Sequence, residues 1–152
     1  MEADMIRPAT HEDIPALIEL GEQMHVESRF ASLPFDRDKV RGLFAHLIES
    51  PDGLLLVAEI DGVPIGGFAG YVVEHYFART KVASDFGLFI EPASRGGMTA
   101  PRLLKAYIEW AKEQGAVMIQ AGITTGVHVE QTTRLYEKLG FRNNGQLFEL
   151  EN

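Results

Sequence analysis

The segment Ile90-Glu91-Pro92-Ala93-Ser94-Arg95-Gly96-Gly97-Met98-Thr99-Ala100 constrains this chain more than any other. Lys81 to Ile90 before it reads as a strand. After it, from Thr99 to about Gln114, Leu103, Leu104, Tyr107, Ile108 and Ala111 recur at helical spacing as one stripe, and Gly115 ends the run. A glycine turn between strand and helix leaves backbone N–H groups unpaired at the positive end of the helix dipole. Such a turn suits phosphate groups. The second informative stretch is Leu135-Tyr136-Glu137-Lys138-Leu139-Gly140-Phe141, a helix end that carries a tyrosine. The pair points to an enzyme that uses a phosphate-bearing carrier.

The remaining pattern surrounds these two segments with a single domain. Met5 to Arg7 reads as a short strand ending at Pro8. Ile14, Leu17, Ile18 and Met24 have helical spacing, with Pro15 placing the start near Asp13. Residues 25–35 read as a loop. Asp36 to Glu49 reads as a second helix that buries Val40, Leu43, Phe44, Leu47 and Ile48. Leu54 to Ile60 and Val63 to Val73 form a hairpin about Asp61-Gly62, and Lys81 to Ile90 extends the meander. Val117 to Ile123 is β-branched and apolar enough for a central strand, Glu130 to Leu139 reads as a short helix, and Leu147 to Leu150 as a last strand. The expected order is β-α-α-β-β-β-α-β-α-β, an α/β (α+β) domain over residues 5–152 with a short extension at 1–4. Gly66-Gly67-Phe68-Ala69-Gly70 lies inside a strand pattern, where glycine marks a bulge or close packing.

Composition narrows the function. With 14 Lys and Arg against 22 Asp and Glu, the net charge of −8 argues against nucleic-acid binding, which needs basic surface to displace counterions. The chain has no cysteine, so disulfides, thiolate metal sites and a catalytic thiol are excluded. That absence suits a reducing cytoplasm. No apolar run approaches the ~20 residues of a membrane helix, and Met1-Glu2-Ala3-Asp4 lacks the basic and apolar features of a signal peptide. The five histidines show no close metal-ligand spacing, so no metal is expected. The reading is a cytoplasmic protein without membrane partners.

Order and motifs together resemble the GNAT superfamily of acyl-CoA-dependent N-acyltransferases, across nearly the whole chain from Met5. In that family an Arg or Gln follows a frequent proline by three residues, and a Gly and then a Gly or Ala complete the cofactor turn. Pro92, Arg95, Gly96 and Ala100 match; Met98 stands where the glycine is expected, and Gly97 is the neighbour expected to supply its flexibility. The tyrosine segment matches closely, whereas Val129 and Thr132 replace the family's frequent Asn and Ala.

The resemblance implies a mixed, mostly antiparallel sheet with about four helices, and acetyl-CoA as co-substrate. It places the cofactor phosphates on backbone N–H groups of Gly96, Gly97, Met98, Thr99 and Ala100, with Arg95 as a side-chain candidate. The pantetheine arm is expected against the backbone of Phe89 and Ile90. The reaction implied is acetyl transfer to an amine, on a small molecule or a protein, by direct attack in a ternary complex. Tyr136 is the candidate general acid for the thiolate, since a phenol of pKa about 10 suits that leaving group. Glu74 and Asp85 are candidate bases, with His75 and Glu91 as further options. Residues 25–35 and 74–80, with Phe30, Phe35, His75, Tyr76 and Phe77, are expected to form the acceptor pocket. A non-catalytic acyl-CoA-binding or interaction module is the alternative, and a homodimer stays open.

Overall fold

The computed structural model describes residues 3–123 and 125–152. The chain runs β1 (Met5–Pro8), a 3-10 turn (His11–Asp13), α1 (Ile14–Glu27), α2 (Arg37–Glu49), β2 (Gly53–Ile60), β3 (Val63–Glu74) and β4 (Lys81–Ile90). A second 3-10 turn (Pro92–Ser94), α3 (Thr99–Glu113), β5 (Met118–Ile119) and α4 (Val129–Lys138) follow. The strands lie in chain order, β1-β2-β3-β4-β5, antiparallel except for the parallel pair β4–β5. This is the expected mixed, mostly antiparallel α+β sheet with four α-helices. No helix among the described residues is long and apolar enough to cross a membrane.

Local chemistry sets the element ends. Pro15 sits in the first turn of α1, where its missing N–H costs nothing. Asp36 caps α2 by accepting from the Lys39 N–H at 3.0 Å. Asp61 and Gly62 both have positive φ, the conformation that folds β2 tightly onto β3.

The sheet separates two cores. On one face α3 and α4 cover Phe68, Val72 and Ala83, with Tyr107 of α3 stacked 4.4 Å from the Phe68 ring and Tyr136 of α4 buried beside them. On the other face α1 and α2 bring Leu17, Ile18, Phe44 and Leu47 onto Leu55, Val57, Ala69 and Phe89. The β3 glycines permit this approach. A Cβ on Gly67 would lie 2.7 Å from Phe89 Cε2 and 2.9 Å from Leu17 Cδ2. Close packing, as read from the sequence, is what these glycines serve.

Three expectations need correction. The strand expected at Val117 to Ile123 is a ladder at Met118–Ile119 only, paired with Val82 and Ala83 and flanked by the bonds Val117 N–H to Lys81 and Gln120 N–H to Ala83. Past this point the register of β4 on β3 shifts: Gly70 faces Asp85 and Ala69 faces Gly87, leaving Phe86 as the extra residue of a bulge. The strand expected at Leu147 to Leu150 does not form. The chain after Gly140 has no regular structure, and Phe148 and Leu150 are exposed, because no described strand edge pairs with them. Of the expected extension at 1–4, Met1 and Glu2 lie outside the described residues. Ala3 is buried, donates its N–H to Thr99 Oγ1 at 3.0 Å and belongs to the domain.

Candidate active site

The parting of β4 and β5 creates the site. Two parallel strands that pair for two residues and then diverge leave one edge of β4 without a strand partner from about Ser84, the Ile90 carbonyl at its end being taken by Arg95. A cleft of about 930 Å³ fills the gap between that edge, the loop before α4 and the turn before α3. Its floor is polar. Asp85 accepts a hydrogen bond at Oδ1 from the Gly122 N–H, 3.1 Å away, and the Tyr136 hydroxyl donates to the Gly122 carbonyl at 3.1 Å. One residue of the diverging chain after β5 therefore holds the candidate base by its N–H and the candidate acid by its C=O. The Tyr107 hydroxyl donates to the Gln120 carbonyl at 2.6 Å, so side chains take over where the ladder stops.

Burial sets the protonation of the pair. It pushes the Asp85 carboxyl up to about 6, against the Gly122 hydrogen bond that pulls it down. Burial also raises the Tyr136 phenol well above its ordinary value, and the neighbouring charge of Asp85 adds to the effect. At neutral pH the site thus holds a charged carboxylate beside a protonated phenol, the two states that an acceptor and a donor of protons require.

The opposite end of the cleft is the turn that leads into α3. Gly96 has φ +92, a left-handed conformation open to glycine, and a Cβ there would meet no atom within 4 Å. The flexibility expected of Gly97 resides at Gly96. Met98 has φ −92 and ψ 0, a turn conformation that does not require glycine, so a methionine fits the backbone where the motif has glycine. Gly96, Gly97 and Ala100 line the cleft; Met98 is half-exposed outside the lining, and Thr99 is fully buried with its Oγ1 accepting from the Ala3 N–H. Neither Met98 nor Thr99 therefore lines the cleft.

Arg95 is already engaged. Its Nε donates to the Ile90 carbonyl at 2.9 Å and its two terminal nitrogens grip the Glu27 carboxylate at 2.8 and 2.9 Å. That guanidinium holds Glu27 below the usual carboxylate range. The side chain expected on phosphate therefore bridges the end of α1 to the turn. Phe89 and Ile90 have buried side chains, as expected of residues that would serve through their backbone.

The acceptor pocket is half as the sequence suggested. Phe30 and Phe35 line the cleft, together with Met24 and Phe44. Glu74, His75, Tyr76 and Phe77 do not. Glu74 pairs with Lys81 at the far end of the β3–β4 hairpin, and Tyr76 and Phe77 are 92% and 74% exposed. A charge at this hairpin turn lies away from the cleft. Glu91 is also occupied, as acceptor for the Ser94 hydroxyl at 2.7 Å. Of the candidate bases, Asp85 alone reaches the cleft. Sequence reasoning missed Phe86, His128, Gln131 and Thr132, all in the lining. Their signal was position alone: Phe86 adjoins Asp85, and the last three lie within two turns before Tyr136.

The fold recurs among solved proteins. A transcriptional regulator from Bacillus halodurans C-125 superposes with a TM-score of 0.79 at 20% identity, over 97% of this chain and 99% of that one. An aminoglycoside N-acetyltransferase in complex with CoA gives 0.78 at 17% identity, over 97% and 93%. An aminoglycoside acetyltransferase from an uncultured soil metagenomic sample, in complex with trehalose, gives 0.72 at 18%, over 97% and 94%. No curated protein matches by sequence. The model of the acetyltransferase (GNAT) family, in contrast, matches residues 19–141 and so takes in the cleft, the glycine turn and the tyrosine helix together: the chain belongs to that family.

Proposed function

We propose that this protein transfers the acetyl group of acetyl-CoA to a primary amine by direct attack in a ternary complex, in the cytoplasm that its cysteine-free composition suits. The observation that carries the reading is the convergence of Asp85 and Tyr136 on Gly122 at the foot of the cleft. The other end of that cleft is a glycine turn at a helix N-terminus, suited to the cofactor phosphates. The free edge of β4 connects the two ends. At about 3.3 Å per residue, Asp85 to Ile90 spans roughly 16 Å, a length that an extended pantetheine arm covers. CoA-bound relatives of the same fold support the cofactor.

In this scheme the Asp85 carboxylate takes a proton from the acceptor ammonium. That proton passes to solvent. The free amine attacks the thioester carbonyl, Asp85 takes the second proton from the adduct nitrogen, and the C–S bond of the tetrahedral adduct breaks. Tyr136, its hydroxyl hydrogen re-aimed from Gly122 by rotation about the Cζ–O bond, protonates the departing thiolate. Transfer of the proton from Asp85 to the phenolate, through water, restores both groups. No acyl-enzyme is needed, since both proton events belong to direct attack.

The competing reading is a module that binds acyl-CoA without turnover, and two contacts favour it: the Tyr136 hydroxyl is held by Gly122, and Arg95 by Glu27. One experiment separates them. Acetyl-CoA well above its Kd raises Tm by mass action under either reading. Tyr136→Phe lowers turnover roughly 10²-fold with acetyl-CoA affinity retained only if the phenol is the acid. A flat Tm up to millimolar acetyl-CoA removes the cofactor; wild-type turnover in the variant removes the acid.

A further inference from the structure

The chemistry of the cleft wall identifies a class of acceptor. Asp85 is the one carboxylate among the described residues of the lining. Glu27, at the rim, is neutralised by the paired grip of Arg95. The other ionisable side chains on the wall are His25, His128, the protonated Tyr136 and the Glu27-bound Arg95, none of which adds a negative charge. Against this single negative charge stands an aromatic surface. Phe30 and Phe35 line the side that follows α1, and Phe86 lines the β4 side. Phe86 is 55% exposed although it is large and apolar, and its ring lies tilted against Tyr71 with centroids 4.8 Å apart. Phe86 adjoins Asp85 in sequence, and at this bulge their side chains meet different neighbours, Tyr71 and Gly122. A half-exposed phenylalanine beside the candidate base is a surface that gains by being covered.

From this arrangement we infer that the acceptor is a monoamine borne on an apolar, ring-containing body: its ammonium meets Asp85 and its body covers Phe86 and packs towards Phe30 and Phe35. The inference rests on the acetyl-transfer reading above. A polycation such as an aminoglycoside brings several ammonium groups into a site with one carboxylate. The remaining charges lose water without gaining a partner, and buried unpaired charge is the most costly mismatch a site can carry. The amine class of the aminoglycoside acetyltransferases is therefore disfavoured here, although the fold is shared.

The test is a competition of acceptors on the intact protein, followed by release of free CoA thiol. The probes are 2-phenylethylamine, spermidine and kanamycin. The expected result is a kcat/KM for 2-phenylethylamine at least about 100-fold above either polycation. Phe86→Ala, a half-exposed site where truncation spares the core, is expected to raise KM for 2-phenylethylamine about tenfold, within the range for hydrophobic discrimination, and to leave the acetyl-CoA Kd unchanged. Preference for spermidine or kanamycin overturns the inference and leaves acetyl transfer standing. An unchanged KM in Phe86→Ala overturns the assignment of the wall. Acetyl-CoA binding without transfer to any of the three overturns the inference together with the transfer reading.

Discussion

Asp85 carries an energetic cost of burial. A carboxyl whose pKa rises from 3.8 to about 6 on folding binds its proton more tightly in the native state than in the unfolded chain. Its contribution to stability is therefore most favourable below about pH 4, falls as pH rises through the interval to about 6, and stays lower by up to about 3 kcal/mol above it. Asparagine at this position keeps the oxygen that accepts from Gly122 and has no charge to desolvate. Asp85→Asn is expected to be more stable than the parent at pH 8 and indistinguishable from it near pH 4, by denaturant titration at both values. If Asp85 is the base, the same variant loses the rise of kcat/KM with pH centred near 6 and about 10²-fold of its rate at pH 8. A variant equally stable at both pH values would show that the carboxylate is solvated rather than buried.

At the scale of elements, helices and antiparallel strands were legible, and the site depended on the places where pattern and structure part. Lys81 to Ile90 reads correctly because its composition suits a strand and β3 is there to pair with it. Val117 to Ile123 has the same composition, yet pairs over two residues only, since a partner edge and not propensity makes a ladder. That early stop opens the cleft, and no local pattern announces it. Glu74 misled for a related reason: strand-end position is visible in sequence, but which strand end opens into the cleft is not. The Arg95–Glu27 pair is likewise invisible, since it joins α1 to the turn before α3 across 68 positions. This pair sets an expectation for cofactor binding. Glu27 places a negative charge beside the turn proposed for phosphate and neutralises the nearest guanidinium. Glu27→Gln leaves Arg95 unneutralised and is expected to tighten CoA about fivefold at low salt, equivalent to about 1 kcal/mol of exposed Coulomb energy. The gain should shrink in 1 M salt, where the Debye length is about 3 Å. Calorimetry at both ionic strengths decides it, and weaker binding would assign Glu27 the positioning of Arg95 instead.

Across the whole molecule, two opposed proton linkages sit on either side of the sheet's centre. The cleft side holds Asp85, buried at a cost. The far edge holds Arg7 of β1, which donates to Asp13 at 2.8 and 3.0 Å and to Glu59 of β2 at 3.0 Å, while Asp13 also accepts from the Thr10 N–H at 2.8 Å. This network ties β1, the turn before α1 and β2 together, and Arg7 holds Asp13 below the usual carboxylate range. Here the sign is the reverse of that at Asp85. A depressed native pKa contributes stability that is present above the unfolded value of about 4 and is lost as pH falls through the native one. Removing the cation leaves two nearly buried carboxylates facing each other unpaired. Arg7→Met, which retains much of the stem's packing, is expected to cost about 3 kcal/mol at pH 7. That cost should diminish steadily below about pH 4, as protonation removes the charges that need a partner. Denaturant unfolding of the parent, Arg7→Met and Asp85→Asn between pH 3 and 8 reads the two linkages separately. Arg7→Met converges with the parent in acid because its defect is charge; a defect that persists unchanged at pH 3 would assign Arg7 to packing alone.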